Sequence, residues 1–256
     1  ALKGSYFLDN SLLRNRMNPA FAPRASYFSI PVISNFGVGV YGNVGPADFL
    51  YPKNGELYTY LNQNVSVQEF SKNLPKRPVI DLDMDTDLLN FGFFTAKDSF
   101  WSFDLGLRVD GQMGLPRDLF LFAKQGMSEP NQVYSLNGFD FFQTSSLYAS
   151  VGHSRDFSWL VKGLKIGGKF RVFIPFEHIG LSLGESALAL GEDAWKVNTD
   201  AYGVVAASFM TLNPDALDGD SEAELFTMDT SNMGPAGFGF SFDIGAEYKL
   251  QLGTVV

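Results

Sequence analysis

The sequence predicts an all-β fold of long antiparallel strands, arranged as a transmembrane β-barrel. Three observations point there. Several segments alternate apolar and polar residues with a period of two, the spacing of a strand. Hydrophobic residues make up 45% of the 256 residues and charged ones only 18%, below the ~25% charge of ordinary soluble domains. Turn-forming residues are plentiful, with 26 Gly and 12 Pro alongside 25 Phe.

The first element is not a strand. Phe7, Leu8, Leu12, Leu13, Met17 and Phe21 are apolar before any alternation begins, so segment 1–25 must hide them inside the fold or against a partner. From Ala25 to Ala47 the chain carries no charge, but Pro31, Pro46 and four glycines break a spanning helix there. "FGVGVYGN" reads as strand, placing the first strand at about 27–42. A short helix follows in "SVQEFSKNL", capped by Ser66, and another in "PRDLFLFAKQG", between Pro116 and Gly126. Strands at 79–95 and 99–113 flank the tight turn "TAKDSF" and form a hairpin. The remaining strands are expected at 133–152, 160–190 (bent at Pro175), 195–211 and 236–252. That makes about seven strands, longer than the usual ~5–6 residues. The connections 43–78 and 114–132 are long, and "NPDALDGDSEAELF" is an acidic, exposed loop.

Each strand has one apolar face. Trp101, Phe103, Leu105, Leu107 and Val109 share a side, against Ser102, Asp104, Arg108 and Asp110 on the other. In "LKIGGKFRVFI" the polar side holds Lys165, Lys169 and Arg171. The apolar face needs a covering: another sheet, a helix layer or lipid. Small and charged residues on the opposite face suit a wet or plugged barrel interior. A spanning strand needs ~9–11 residues, and these suffice. Residues 26–256 would then form the barrel wall.

In the run Asp81, Asp83, Asp85 and Asp87 the first three match the start of a calcium loop, but Thr86 stands where that loop needs Gly and Gly92 where it needs Glu. As a strand, the same run puts four carboxylates on the wet face. An unbroken hairpin sets Asp87 opposite Arg108 and Asp85 opposite Asp110. A bulge at Leu88–Leu89 instead brings Phe91 and Phe93 to the side of Trp101 and Phe103, and Arg108 opposite Asp85. Either register makes Arg108 the expected countercharge of Asp85 or Asp87. The Asp83, Asp85 and Asp110 neighbourhood becomes the most electronegative patch.

Several function classes are disfavoured. The net charge of -9 comes without a basic stripe, which argues against nucleic acid as a partner. There is no Cys, and the two histidines, His153 and His178, offer little for a metal site. No G-x-S-x-G elbow is present. Asp104 and Asp110 read better as wet-face residues of one strand than as glycosidase carboxylates. No catalytic residue, metal or cofactor is expected, and the chain is read as non-enzymatic. Its polar start, "ALKGSYF", is what a chain relieved of a secretion leader would show, and equally what a cytosolic chain would show.

"NSLLRNRMNPAFAPRASYFSIP", with Asn10, Ser11, Arg14 and Asn18-Pro19-Ala20-Phe21, resembles Bacteroides-type outer-membrane barrels of unknown function related to the long-chain fatty acid transporters (FadL-like). "VGPADFLYP", "FGFFTAKDSFWSFDLGLR", "LPRDLFLFAKQGM", "YASVGHSRD" and "FSFDIGAEYKL" carry the same resemblance along nearly the whole chain. It implies a bacterial outer-membrane location with the leader removed, and a barrel of roughly fourteen strands. This chain would be its N-terminal half, its missing C-terminal half completing the wall. The N-terminal segment would be a lumenal plug, with Phe7, Leu12, Leu13, Met17 and Phe21 as candidate contacts for a hydrophobic small molecule. The implied partners are outer-membrane lipid and that cargo. A scaffold subunit bound to a partner membrane protein is the alternative within the membrane class. A secreted β-sandwich that binds glycan through its aromatics is the alternative outside it.

Overall fold

The computed structural model describes residues 14–29, 36–96, 98–129, 131–191, 194–213, 226–229, 231 and 234–250. In chain order the elements are helix α1 (Arg14–Met17), strands β1 (Tyr27–Ser29) and β2 (Phe36–Gly42), helix α2 (Pro46–Phe49), strands β3 (Leu50–Lys53) and β4 (Glu56–Thr59), and helix α3 (Val67–Asn73). The long strands β5 (Val79–Ala96) and β6 (Ser99–Gly114) follow, then helix α4 (Arg117–Gln125). After β7 (Gln132–Ser135) come β8 (Asp140–Asp156) and β9 (Leu164–Leu183), then β10 (Ala187–Leu190) and β11 (Trp195–Asn198). The last strands are β12 (Ala201–Ala206), β13 (Met210–Leu212), β14 (Phe226–Met228) and β15 (Gly239–Tyr248). The chain is mostly β, and every strand pairing is antiparallel.

One sheet dominates. Strands β5, β6, β8 and β9 form its middle. On one edge β1 and β2 both pair with β5; on the other, β12 and β15 both pair with β9. Strands β12 and β15 pair with successive stretches of β9, residues 178–183 and 164–173. Among the described residues neither edge pairs with a further strand, and the sheet does not close on itself.

The two ends of this sheet differ because the connections differ. At one end β5 passes to β6 with Ala96 and Ser99 as Cα partners, and β8 passes to β9 through residues 157–163. At the other end the long connections build a cap. There Tyr51, Val65, Phe70 and Leu74 form a core packed by Phe49, Tyr58, Tyr60, Phe120 and Leu121. Ser66 caps α3 by accepting from the Glu69 amide at 3.1 Å, and Pro116 and Gly126 bound α4.

Some expected strands are shorter than their alternation suggested. The 133–152 span divides into β7 and β8, because Asn137 and Gly138 turn the chain and Gly138 takes φ 86°. The 160–190 span ends at Leu183, and β10 turns away to pair with β7 and β11 in a separate three-stranded sheet. At Pro175 the strand is bulged rather than ended: Ser146 faces Pro175 while Ser145 faces Glu177. A proline lacks the amide a regular ladder needs, so it is tolerated at such a site. The 195–211 span splits into β11, β12 and β13, and the last strand covers 239–248 of the expected 236–252.

The hairpin β5–β6 adopts the bulged register. Pairing shifts between Asp87 and Leu89, and beyond it Phe91 faces Phe103 and Phe93 faces Trp101. Asp85 faces Arg108 and Asp83 faces Asp110. The aspartate run is therefore a strand, not a loop.

Candidate functional site

The two faces of this sheet differ in burial. Its polar face is the covered one. Residues Phe100, Ser102, Asp104 and Gly106 of β6 are buried, whereas Trp101, Phe103, Leu105 and Leu107 are accessible. Strand β15 repeats the pattern, with Phe240 81% and Ile244 75% exposed. On that outward face, near the short-turn end, Phe91, Phe93 and Phe103 stack, with Phe91 and Phe103 at 5.1 Å. Trp101 lies 4.5 Å from His153 in the same belt.

What covers the polar face is the N-terminal segment. It crosses five strands in a few residues. Arg16 pairs with Asp85 at 2.7 Å and Asp87 at 3.2 Å on β5. Asn15 accepts from Ser102 of β6 at 3.2 Å, and Arg16 donates to the Tyr148 hydroxyl of β8 at 2.6 Å. Arg171 of β9 donates to the Arg16 carbonyl at 3.3 Å, and Asn18 donates to the Ala246 carbonyl of β15 at 3.0 Å. Gly167 and Gly245 are Cα partners across β9 and β15. A Cβ on Gly167 would overlap the Pro19 carbonyl, and one on Gly245 the Asn18 side chain. This glycine pair is a notch that seats Asn18-Pro19. Ala20 and Phe21 are buried beyond it, with the Arg14 guanidinium 4.2 Å above the Phe21 ring.

Beneath the segment lies a pocket of about 120 Å³ lined by Arg16, Met17, Asp83, Tyr148, Lys169 and Phe173, among others. Several charges on the covered face are arranged in pairs. Lys169 and Asp104 meet at 2.9 Å with side chains only 1% and 4% exposed, and Ser150 donates to the same carboxylate at 2.6 Å. Arg171 meets Asp243 at 3.0 Å, and Lys165 meets Glu247 at 4.0 Å. Tyr148 donates to Asp87 at 2.6 Å, and Asn90 to its other oxygen at 3.1 Å.

Asp81, Asp83, Asp85, Asp87, Asp104, Arg108, Asp110, Lys165, Lys169 and Arg171 share the face that the segment crosses. One expected pairing is corrected. Arg108 faces Asp85 in register, but its guanidinium turns along its own strand to Asp110 at 2.6 Å. Arg16 occupies the position by Asp85 and Asp87 instead. The carboxylates were legible, but the cation that answers them comes from outside the hairpin. Met17 lines the pocket, and Phe21 is buried without lining it; Phe7, Leu12 and Leu13 lie outside the described residues. Asp104 and Asp110 are held by different cations, Lys169 and Arg108.

A family model described as a family of unknown function (DUF5723) matches residues 19–255. The chain belongs to DUF5723. No curated protein and no solved structure matches it. The match begins at Pro19, inside the notch, so the DUF5723 region takes in both the sheet and part of the segment that crosses it. No helix among the described residues of this DUF5723 chain is long and apolar enough to cross a membrane, which leaves open a crossing by strands.

Proposed function

We propose that this chain forms part of the wall of an outer-membrane β-barrel, non-enzymatic, whose lumen holds the N-terminal segment. The observation that carries the reading is this difference in burial: a polar face roofed by Arg16, Asn18 and Pro19, and an apolar face left outward. Lipid is the covering that such a face fits. Strands β5, β6, β8 and β9 have 18, 16, 17 and 20 residues, more than the ~9–11 that cross a bilayer. Short turns at one end, long connections at the other and an aromatic belt on the outward face belong to the same architecture. In this arrangement the cap of α2, α3 and α4 lies on the extracellular side. Neither edge pairs further among the described residues, and lipid does not tolerate an open edge; further strands would complete the wall, and the resemblance suggests a barrel of roughly fourteen.

The role proposed for this wall is passage or display of a hydrophobic small molecule, as in the fatty-acid-transporter-like barrels, with the segment as its plug. The pocket beneath the segment, where Met17 and Phe173 meet paired charges, supports a gated lumen rather than an open channel. The glycan-binding sandwich is less supported, since no second sheet covers the apolar face among the described residues.

Spin labels at Phe103 and Asp104 test the wall. In detergent or bilayer, the label at 103 should be accessible to oxygen and shielded from a polar relaxant, and the label at 104 should not be exposed to oxygen. Equal accessibility at both positions, or a protein that stays monomeric and folded without detergent, sinks the reading.

A further inference from the structure

A carboxylate stands on the apolar face. Ser146 faces Pro175 and Ser145 faces Glu177, so Phe176 is the extra residue of the β9 bulge. An uninterrupted strand would turn Glu177 to the side of Lys169 and Arg171; the bulge re-aims it. Ser145 is the Cα partner of Val109, on the outward side, and its hydroxyl donates to Glu177 Oε2 at 2.8 Å. His178, next in the chain, lies on the inward side, 2.8 Å from Thr144. No cation among the described residues pairs with Glu177. Among the described residues, the other charged or titratable side chains that β5, β6, β8 and β9 turn outward are Arg155 and His153, at the short-turn end.

The depth of Glu177 decides what can answer it. Its row contains Val109, which is eight residues from Trp101 and four from Met113 along β6. At ~3.4 Å per residue and a tilt of ~40°, the outward face from Trp101 to Met113 is ~30 Å tall, the thickness of a hydrocarbon core. Glu177 then lies about 10 Å inside the cap-side rim. An ionised side chain facing hydrocarbon at that depth is costly, and a lipid headgroup is held at the rim. A second copy offers no partner either. A two-fold contact centred there would set Glu177 against Glu177. Any other contact in one membrane keeps the copies level, and Arg155 and His153 are ten and eight residues from Ser145 along β8, more than about 20 Å away in depth.

With this sheet as the membrane wall proposed above, the geometry points to a docking site, centred on Glu177, for a different membrane protein that carries a lysine or arginine on its own lipid-facing surface at the same depth. Ser145 fixes the carboxylate, and its other oxygen remains for the cation. Gln143, the partner of Ile179, is diagonal to Glu177 on the same face and adds an amide. Gly111 lies beside Gln143. A Cβ there would meet nothing nearer than 3.7 Å, so packing within the chain does not require glycine. Close approach of a neighbour would.

The test replaces Gln143 of the full chain with photoreactive benzoylphenylalanine, in cells that make the protein natively. Irradiation should join it to one other membrane protein, beside a Lys or Arg of a membrane-facing segment as placed by peptide mass spectrometry. Glu177→Gln should lower the adduct yield severalfold, and Glu177→Arg at least about tenfold. Changing the partner's Lys or Arg to Glu should restore the adduct with Glu177→Arg. Should the arginine variant fail to accumulate, Glu177→Gln decides, because it keeps an acceptor for Ser145. Adducts with lipid alone, within the chain or with a second copy overturn the proposal, as does a yield that ignores the Glu177 variants. The spin labels at Phe103 and Asp104 separate the two readings. Lipid exposure at 103 together with any of these outcomes removes the docking site and leaves the wall; equal accessibility at both positions removes both.

Discussion

Lys169→Met should cost the fold about 3–5 kcal/mol, the usual penalty for stranding one partner of a buried ion pair. Lys169 and Asp104 are both nearly inaccessible, and methionine keeps the length of the stem while removing the ammonium. What remains is a buried carboxylate with Ser150 as its remaining side-chain donor among the described residues. The pair's own net worth is a different quantity. Adding Asp104→Asn to Lys169→Met removes the stranded charge, and the new amide oxygen still accepts from Ser150. The double variant should therefore recover about 2 kcal/mol or more of the single variant's loss. Denaturant unfolding of the two proteins checks this. If their midpoints are equal, the charge at Asp104 is not what the lysine compensates, and solvent must reach the site.

What the sequence made legible depends on how far apart the interacting residues lie. Alternation is a local signal, and it located β5, β6, β15 and the body of β8 and β9. The bulge was equally local: Leu88 and Leu89, adjacent and both apolar, cannot both face lipid or both face water, and the register shifts where they sit. The break between β7 and β8 was also written locally, as Asn137-Gly138, a turn pair. Apolar residues on either side made the span look continuous. The cap was less readable. Its core joins Tyr51, Val65, Phe70 and Leu74 from one short strand, a loop, a seven-residue helix and that helix's C-cap, none long enough to show a period.

The site was half legible for the same reason. Four aspartates in alternation declared a wet face and demanded cations. The nearest candidate by register was Arg108, yet a register fixes Cα positions and not where a long side chain points. Arg108 finds Asp110 two residues along its own strand, on the same face. Arg16 reaches Asp85 from about seventy residues away in the chain, carried by a segment with no periodicity of its own. Sequence held one clue to that segment's path: Gly167 and Gly245, small residues on the polar side of strands that otherwise carry Lys and Glu there. Only the pairing of β9 with β15 turns two separate glycines into one notch.

Gly167→Val should therefore expel the N-terminal segment while leaving the sheet intact. Valine suits a strand, so the substitution is not expected to unravel β9. Its Cβ, however, would stand where the Pro19 backbone lies, and backbone cannot swing aside as a side chain can. Overpacking of this kind costs typically 1–3 kcal/mol. The contacts at Asn15, Arg16 and Asn18 are lost together once Pro19 lifts, because one short segment carries them all. Trypsin cleavage at Arg16 reports the release, since in the docked state its side chain is only 15% exposed and tied to Asp85 and Asp87. Cleavage should speed up about tenfold or more, a factor of ten corresponding to 1.4 kcal/mol of opening free energy. Gly245→Val should act alike through Asn18. Gly203→Val is the control, because a Cβ there meets nothing within 4 Å, and its cleavage rate should match the wild type. A Gly167→Val protein with normal β-sheet circular dichroism and an unchanged rate at Arg16 would show that the notch does not hold the segment.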